Sequence, residues 1–290
     1  MYHSLTDIAQ VAIDFARLPL RPEVFTIAPF EAFGTELGPF ALRWYSLSYI
    51  AAILCGWWLL IRMIKQPGSP MTAANVDDFI TWATLGVILG GRLGYVIFYN
   101  PAQYLAEPTA VVRVWDGGMS FHGGCFGVIL GCWGFGLANK VSGLRVLDYV
   151  ATVSPLGLGF GRLANFVNGE LWGRPTGSNW GVIFPNAGPE PRYPSQLFEF
   201  ALEGVVLMTI LTVLFWATRA RFRPGLLSGV FGIGYGASRF IVEFFREPDR
   251  QLGILPSGLT MGQTLTLPII LAGVLLVIYA LRRPATPQPA

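Results

Sequence analysis

Charged residues are scarce in this chain. Of its 290 residues, 13% are charged and 53% are hydrophobic, whereas a typical soluble domain has roughly 25% charged residues. The mean hydropathy is +0.52. This composition excludes an ordinary soluble enzyme. The net charge of +3 comes without a basic patch, so we expect no nucleic-acid partner.

Cysteine and histidine are also rare. The three cysteines, Cys55, Cys125 and Cys132, all fall within apolar segments, and an odd number at such positions argues against a disulfide framework. Only one histidine, His122, stands in a glycine-rich motif, and one histidine without a cysteine cluster argues against a zinc site. The sequence has neither a Gly-x-Ser-x-Gly elbow nor a Walker loop. We therefore expect no metal and no cofactor.

Long apolar runs are what the chain has in quantity. A membrane helix takes about 20 apolar residues, and the runs lack the alternation of membrane strands. We therefore expect an all-α integral membrane protein, a bundle of about seven transmembrane helices. The predicted spans are Leu42–Ile61, Phe79–Tyr99, Ser120–Leu137, Val146–Phe166, Leu197–Trp216, Leu226–Phe245 and Leu265–Leu281.

Loop charges predict the orientation of this bundle. Basic residues follow the first, third, fifth and seventh spans, and such residues stay on the cytoplasmic side of a membrane. Most acidic residues fall on the opposite side. The N-terminus should therefore lie outside and the C-terminus in the cytoplasm. The basic residues are Arg62, Lys65, Lys140, Arg145, Arg219, Arg221, Arg223, Arg282 and Arg283.

Three regions follow from this topology. Residues 1–40 form an outer-face segment, in which the spacing of apolar residues predicts an amphipathic helix at the membrane interface. Charges interrupt its apolar core, which argues against a cleavable signal peptide. Residues 41–283 form the seven-helix domain with the candidate site and an outer loop near 171–194. Residues 284–290 form a cytoplasmic tail.

Six ionisable residues fall inside the predicted spans. Each costs about 2.5–3.5 kcal/mol at a helix centre, so six cost roughly 15–20 kcal/mol if nothing relieves them. Three structural Arg–Glu pairs are one explanation, but buried pairs stabilise less than apolar packing does. A functional polar cavity is the favoured interpretation. The six are Arg92, Arg162, Glu199, Glu203, Arg239 and Glu243.

Helical phase places polar residues on common faces. At 100° per residue, side chains three or four positions apart point the same way. These faces predict one interior site near the outer leaflet. They carry Tyr235, Arg239, Glu243 and Arg246; Gln196, Glu199 and Glu203; and Arg162 and Asn165, with Asn168 and Glu170 in the loop beyond.

Glycine is abundant, at 35 residues. Small residues let membrane helices approach closely, and they also permit broken helices around a cavity. Packing explains most of them, but the pair Gly90-Gly91 beside Arg92 favours a cavity. His122 stands between a glycine turn and a glycine pair, which leaves room for a ligand. Cys125 follows three residues later, so a reactive Cys/His pair is an open alternative.

Several motifs resemble those of one known family. The stretch Gly161–Gly173 reads GRLANFVNGELWG and is similar to the signature of the bacterial prolipoprotein diacylglyceryl transferases. The resemblance runs from about Val24 to Arg283. The chain departs from it in a longer N-terminus, an insert near 30–36, and a tyrosine at position 193 where many members have histidine. Further matching motifs are Arg43–Tyr45, Gly90–Tyr95, Arg113–Gly124, Pro194–Glu199 and Gly234–Arg246.

The resemblance implies a reaction and its partners. The diacylglyceryl group of phosphatidylglycerol would pass to the lipobox cysteine of a preprolipoprotein signal peptide, giving a thioether and glycerol phosphate. The protein would span the bacterial inner membrane, in contact with its lipid bilayer, with the site toward the outer leaflet. By resemblance, the residues that matter are Tyr45, His122, Arg162, Asn165, Glu170, Gly173, Tyr235, Arg239 and Glu243. To these we add Asn168, Arg92 and Glu203 as substrate-binding candidates.

The residue types suit this chemistry. Arg162 and Arg239 are the best candidates to stabilise charge on a departing phosphate, because arginine stays ionised and its planar fork matches phosphate oxygens. The incoming thiol needs a base at neutral pH. His122 is the natural candidate, and Glu243 either orients Arg239 or takes the proton itself. A small transporter and a lipid-binding scaffold are the rival functions, although no inverted repeat supports a transporter.

Overall fold

Helices dominate the structure. A computed structural model describes residues 12–32, 35–248 and 253–285. Within that part of the chain, seven long helical stretches overlap the seven predicted spans. They are α1 (Trp44–Ile64), α2 (Ala73–Phe98), α4 (Phe121–Asn139), α5 (Gly143–Val167), a continuous stretch made of α6 (Ser195–Glu199), a π-helical segment (Phe200–Val206) and α7 (Leu207–Ala217), then α8 (Leu226–Val242) and α9 (Met261–Arg282); the short α3 (Pro101–Ala106) follows α2.

Four of these stretches are long and apolar enough to cross a membrane, namely α1, α2, the continuous stretch Ser195–Ala217 and α9. Helix α8 is apolar but shorter. The chain is therefore a mostly helical membrane protein. How many helices cross the bilayer, and in which direction, stay predictions.

Polar caps determine where two of the helices begin. Thr72 and Asn75 form a capping box at the start of α2, and Thr260 and Gln263 form another at the start of α9. Such boxes satisfy the free N–H groups of the first turn. Both helices therefore start earlier than the predicted spans, because hydropathy alone does not recognise a polar first turn.

The helix after the outer loop changes its winding near Glu203. Residues 200–206 are π-helical between α6 and α7, and such segments often occur at functional sites. Beside Glu203, Gly204 packs on α5, where a Cβ atom on Gly204 would lie 2.9 Å from the Cα of Gly159. This close approach brings Glu203 to the face of α5 that carries Arg162.

Helices α2 and α4 pack through glycine. A Cβ atom on Gly127 would lie 1.9 Å from the carbonyl oxygen of Gly86, and one on Gly90 would lie 2.3 Å from that of Gly123. Only glycine permits such backbone contact between membrane helices. The expectation that Gly90-Gly91 borders a cavity is wrong, because Gly90 packs on α4 and the Met119 side chain occupies the space beside Gly91.

The N-terminal segment forms strands. The interfacial helix predicted in residues 1–40 is wrong for the described residues from 12 onward, and residues 1–11 lie outside the described part. Prolines and alternating apolar residues favour extended structure over helix. Ile13–Asp14 pairs in parallel with Val182–Ile183, Glu23–Ile27 pairs antiparallel with Phe40–Arg43, and Phe30–Ala32 pairs antiparallel with Thr35–Leu37; Phe15–Arg17 is a single 3-10 turn.

A buried carboxylate joins α5 to the start of α8. Asp148 Oδ2 accepts a hydrogen bond from the backbone N–H of Gly225 at 2.7 Å, and Oδ1 accepts from the N–H and hydroxyl of Ser228 at 2.8 and 2.7 Å. Asp148 therefore caps α8 from a neighbouring helix. This contact positions α8, whose other end carries Arg239 and Glu243.

Candidate functional site

Six ionisable side chains meet where α5, the α6–α7 stretch and α8 pack together. Glu199 and Glu203 are fully buried, at 0% exposure, and the others are mostly buried. The set contains as many arginines as glutamates, so its charges balance when all are ionised. We name it the ionic cluster; its members are Arg162, Glu199, Glu203, Arg239, Glu243 and Arg246.

Glu199 is the centre of the ionic cluster. Its Oε1 accepts a hydrogen bond from Arg239 Nη1 and lies 3.4 Å from Arg246 Nη1. Its Oε2 lies 3.2 Å from Arg162 Nε. One carboxylate therefore contacts three arginines, one on α5, one on α8 and one just beyond the end of α8. The cluster is a connected network, and the three separate Arg–Glu pairs considered from the sequence are not what forms.

Arg162 keeps donors that the ionic cluster does not use. Its Nε and Nη2 both donate to Glu203 Oε2, at 3.1 Å each. Its Nη1 makes no hydrogen bond with the described residues, and the side chain is 17% exposed. A guanidinium has five N–H donors. Arg162 is therefore paired on one side and available to an anion on the other.

Arg239 is held between two carboxylates. Besides its contact with Glu199, its Nη2 lies 2.9 Å from Glu243 Oε2, one turn along α8. Glu243 in turn lies against the start of α9, where a Cβ atom on Gly262 would be 2.7 Å from the carboxyl carbon. This geometry favours Glu243 as the group that orients Arg239.

A second set of contacts surrounds Glu170, just beyond the end of α5. Its Oε1 accepts from Asn165 Nδ2 at 2.8 Å and from Asn168 Nδ2 at 3.1 Å, and its backbone carbonyl accepts from Gln196 Nε2 at 2.6 Å. The next residue, Leu171, has a φ of 58°, a left-handed conformation that is rare for leucine. The sequence motif thus turns sharply here and fixes the Glu170 carboxylate.

Two tyrosines lie near the ionic cluster and the contacts around Glu170. Tyr45, in the first turn of α1, lies near Glu170 and Arg162. Tyr235 of α8 lies near Glu203, Arg162 and Arg239. The structure therefore brings both tyrosines into the neighbourhood of Arg162.

Gly173 lies between two backbone segments. A Cβ atom there would be 2.5 Å from the carbonyl oxygen of Tyr193 and 2.6 Å from that of Phe245. Its N–H donates to the Tyr193 carbonyl at 2.9 Å. The glycine thus lets the outer loop pack on the end of α8; substrate binding by Gly173 stays a prediction.

Arg92 lies apart from the ionic cluster. Its guanidinium donates to the carbonyl oxygens of five residues in the segment 110–118 and stacks over the Tyr104 ring at 5.2 Å. Since a guanidinium has five N–H donors, each donor has a backbone acceptor. Arg92 therefore organises this segment and has no donor left for a lipid phosphate. The acceptors are Val111, Gly117, Gly118, Ala110 and Arg113.

His122 lies in the first turn of α4, whose N-cap is Ser120, and it is exposed. One turn further, Cys125 lies near Tyr235 of α8, so this end of α4 borders the ionic cluster's surroundings. Among the described residues no group of three or more His, Cys, Asp or Glu side chains could hold a metal ion. The role of His122 stays a prediction.

Some site residues are absent from the predicted set. Arg246 contacts Glu199; helical phase placed it on the polar face with Arg239 and Glu243, but it was not among the named site residues. Gln196 was on the predicted face of its helix, and it holds the Glu170 backbone. No sequence pattern could have identified Gly262, because its contact with Glu243 depends on how α9 packs against the end of α8.

Comparisons with known proteins agree on one family. The family model described as prolipoprotein diacylglyceryl transferase matches residues 33–279. A phosphatidylglycerol–prolipoprotein diacylglyceryl transferase of Zymomonas mobilis is 52% identical over 271 residues, covering 93% of this chain and 94% of that protein. The protein of the same name from Erythrobacter litoralis is 46% identical and covers 98% of both chains. That from Rhodospirillum rubrum is 54% identical over 85% of this chain and 91% of its own.

Proposed function

The chain belongs to the prolipoprotein diacylglyceryl transferase family, and we propose that it transfers the diacylglyceryl group of phosphatidylglycerol to a cysteine thiol of a preprolipoprotein. The family match spans residues 33–279. The observation that carries the proposal beyond the family name is Arg162, which is mostly buried in the ionic cluster and whose Nη1 makes no hydrogen bond with the described residues. Such a group suits an anionic phosphodiester in a site shielded from water.

The chemistry is a displacement at the glycerol carbon that carries the phosphate. The thiol sulfur forms a bond to this carbon, and the carbon–oxygen bond to phosphate breaks. The products are a thioether and glycerol phosphate, and the thiol proton passes to a base. The phosphodiester begins with one negative charge and the departing phosphate approaches two. Cations aimed at it therefore stabilise the transition state more than the ground state.

We assign this stabilisation to Arg162 and Arg239. Glu199 and Glu203 hold the two guanidiniums in place, and Glu243 orients Arg239 from the other side. With Glu243 occupied in this way, His122 is the better candidate to take the thiol proton. Tyr45, Tyr235 and the amides around Glu170 complete the substrate-binding set, with Asn165 and Asn168 as members.

The position in the cell is part of the same proposal. Seven helices cross the bacterial inner membrane, with the N-terminus outside and the C-terminus in the cytoplasm. The outer loop near 171–194 and the ionic cluster then lie toward the outer leaflet. Support comes from the basic residues that follow alternate helices. Reporter fusions at Arg223 and Ala290 should report cytoplasm and one near Pro185 the outside; an outside C-terminus would contradict this topology.

The direct test is turnover. Purified protein, phosphatidylglycerol vesicles and a peptide with a lipobox cysteine are incubated and analysed by mass spectrometry. We expect the peptide mass to rise by one diacylglyceryl group, with glycerol phosphate released in equal amount. A peptide with serine in place of the cysteine is the control. Lipid binding without peptide modification would support a scaffold, and lipid flux without modification would support a transporter.

A further inference from the structure

Glu203, beside Arg162, has a buried oxygen that accepts no hydrogen bond from the described residues. Glu203 is fully buried, at 0% exposure, and its Oε2 receives both hydrogen bonds from Arg162. Its other oxygen, Oε1, is buried and has no hydrogen-bond partner among the described residues. A buried acceptor without a donor costs free energy, so this oxygen is a site for a donor supplied by a ligand.

Two acceptors around Glu170 show the same deficit. Asn168 Oδ1 and Gln196 Oε1 are also buried without a hydrogen-bond partner in the described part of the chain. Both side chains use their amide nitrogens on Glu170. Arg162 thus offers a donor for an anion, and Glu203 beside it offers an unsatisfied acceptor. This combination fits a ligand with both a phosphodiester and hydroxyl groups.

We propose that Glu203 Oε1 accepts a hydrogen bond from a hydroxyl of the lipid headgroup, so that Glu203 selects a polyol phosphodiester over one without hydroxyls. The inference rests on the proposed function. Phosphatidylglycerol carries two free hydroxyls on its terminal glycerol, beyond the phosphate. With the phosphate on Arg162 Nη1, the headgroup lies within reach of the carboxylate that the same guanidinium holds.

Charge supports a hydroxyl as the donor. The ionic cluster balances three arginines against three glutamates, and the lipid phosphate adds a negative charge. A neutral hydroxyl donates to Glu203 without adding another ion. The headgroup leaves with the phosphate, so this contact also holds the leaving group.

The test compares two lipid donors that give the same product. Phosphatidylglycerol and phosphatidylpropanol, with identical acyl chains, both carry an anionic phosphodiester and a three-carbon headgroup, but only the first has hydroxyls. Transfer to a lipobox peptide is measured as kcat/KM for each donor. For the unaltered protein we expect phosphatidylglycerol to be favoured by about 10- to 100-fold, because a site built for a hydroxyl rejects an analogue without it.

The Glu203→Gln variant should abolish most of this preference. Arg162 attracts the amide oxygen, which leaves an NH₂ donor where Oε1 was, so the acceptor is lost. Any disturbance of Arg162 lowers transfer from both lipids alike and cancels in the ratio. We expect the ratio to fall to near one, mainly through slower transfer from phosphatidylglycerol.

Glu199→Gln is the matched control. Glu199 lies one turn away and also contacts Arg162. Its Oε2, like Glu203 Oε1, is buried without a hydrogen bond in the described part of the chain, but it lies 3.2 Å from Arg162 Nε, so an arginine contacts each of its oxygens. This variant should slow transfer from both lipids and keep the preference. If Glu203→Gln keeps the same preference as Glu199→Gln, Glu203 serves only as the counterion of Arg162, and the inference is wrong.

The unaltered protein decides the matter even if the variants do not fold. Equal transfer from both lipids would show that the protein does not select for headgroup hydroxyls, and it would leave the proposed function intact. Transfer from neither lipid would contradict the proposed function itself. Tyr235→Phe covers a remaining alternative, in which the tyrosine hydroxyl supplies the donor to Glu203. Loss of the preference in Tyr235→Phe, with Glu203→Gln unchanged, would assign the selection to Tyr235.

Discussion

Arg92 and Arg162 are two buried arginines in similar sequence settings, and the structure uses them differently. Each follows a glycine inside an apolar helix. All five donors of Arg92 go to backbone carbonyls of the segment 110–118. Arg162 instead pairs with Glu199 and Glu203 and keeps Nη1 free of the described residues. The same residue type thus organises a loop in one region and prepares a site in the other.

The partners explain the difference. Carbonyl oxygens saturate the donors of Arg92, so a ligand would have to break hydrogen bonds that organise the backbone. The carboxylates around Arg162 contact its Nε and Nη2, and its Nη1 makes no hydrogen bond with the described residues. Intramembrane charge is a reason to suspect function, but free donor geometry decides which arginine can bind an anion.

The largest effect is expected from replacing the site arginines. Arg162→Gln and Arg239→Gln should each reduce turnover by about 10²–10³-fold, by analogy with the loss of one preorganised donor at an anionic transition state. Lysine should recover only part of the loss, because it keeps the charge without the fork. Turnover per folded molecule and the thermal unfolding midpoint are measured on the same preparations.

Turnover and the unfolding midpoint, measured together, distinguish a catalytic role of these arginines from a structural one. If these variants unfold at much lower temperature and the folded fraction turns over normally, both arginines are structural. Arg162 would then resemble Arg92, and the contrast between the two regions would disappear.

Arg92→Gln should act on stability instead. It leaves several carbonyls of segment 110–118 without donors, at about 1–3 kcal/mol for each buried group that stays unsatisfied. We expect a lower unfolding midpoint and faster amide hydrogen exchange in this segment, with turnover per folded molecule within a few-fold of normal. Lysine has three donors against five, so Arg92→Lys should restore little. Normal stability combined with a turnover loss like that of Arg162→Gln would place Arg92 in the site.

A smaller effect is expected at the glycine contact between α2 and α4. Gly127→Ala places a Cβ atom 1.9 Å from the Gly86 carbonyl oxygen, which no side-chain movement relieves, so the helices must separate. We expect a lower unfolding midpoint. Gly56→Ala in α1 is the control, because its Cβ atom would meet nothing within 4 Å. Equal midpoints for the two variants would show that this contact tolerates separation.

Hydropathy and helical phase predicted much of the helical framework. The seven apolar runs overlap seven helical stretches, and the common faces of α5, α6 and α8 carry the residues that form the ionic cluster. These features depend on local periodicity, which a sequence displays directly. The same reasoning did not separate Arg92 from Arg162, because both are arginines in apolar helices and only tertiary contacts differ.

The errors have the same origin. The strand Ile13–Asp14 falls in the stretch whose apolar spacing predicted a helix, but its pairing partner lies far along the chain, at 182–183. Gly90 was placed at a cavity because it precedes Arg92, yet it packs on Gly123. The contact of Gly262 with Glu243 requires α9 to meet the end of α8. Long-range packing decided each of these cases.

The smallest effect is expected at an exposed ion pair beside the Arg92 region. Glu107 accepts a hydrogen bond from Arg113 at 2.6 Å, and both side chains are substantially exposed. This hydrogen bond holds the pKa of Glu107 below its ordinary value. Any stabilisation is therefore present above the ordinary pKa and is lost as the pH falls through the lowered one. Water and salt screen such pairs, so Glu107→Gln should leave the unfolding midpoint unchanged at neutral and mildly acidic pH. A drop comparable to that of Arg92→Gln would mean that the side-chain pair, rather than the carbonyl contacts of Arg92, organises this segment.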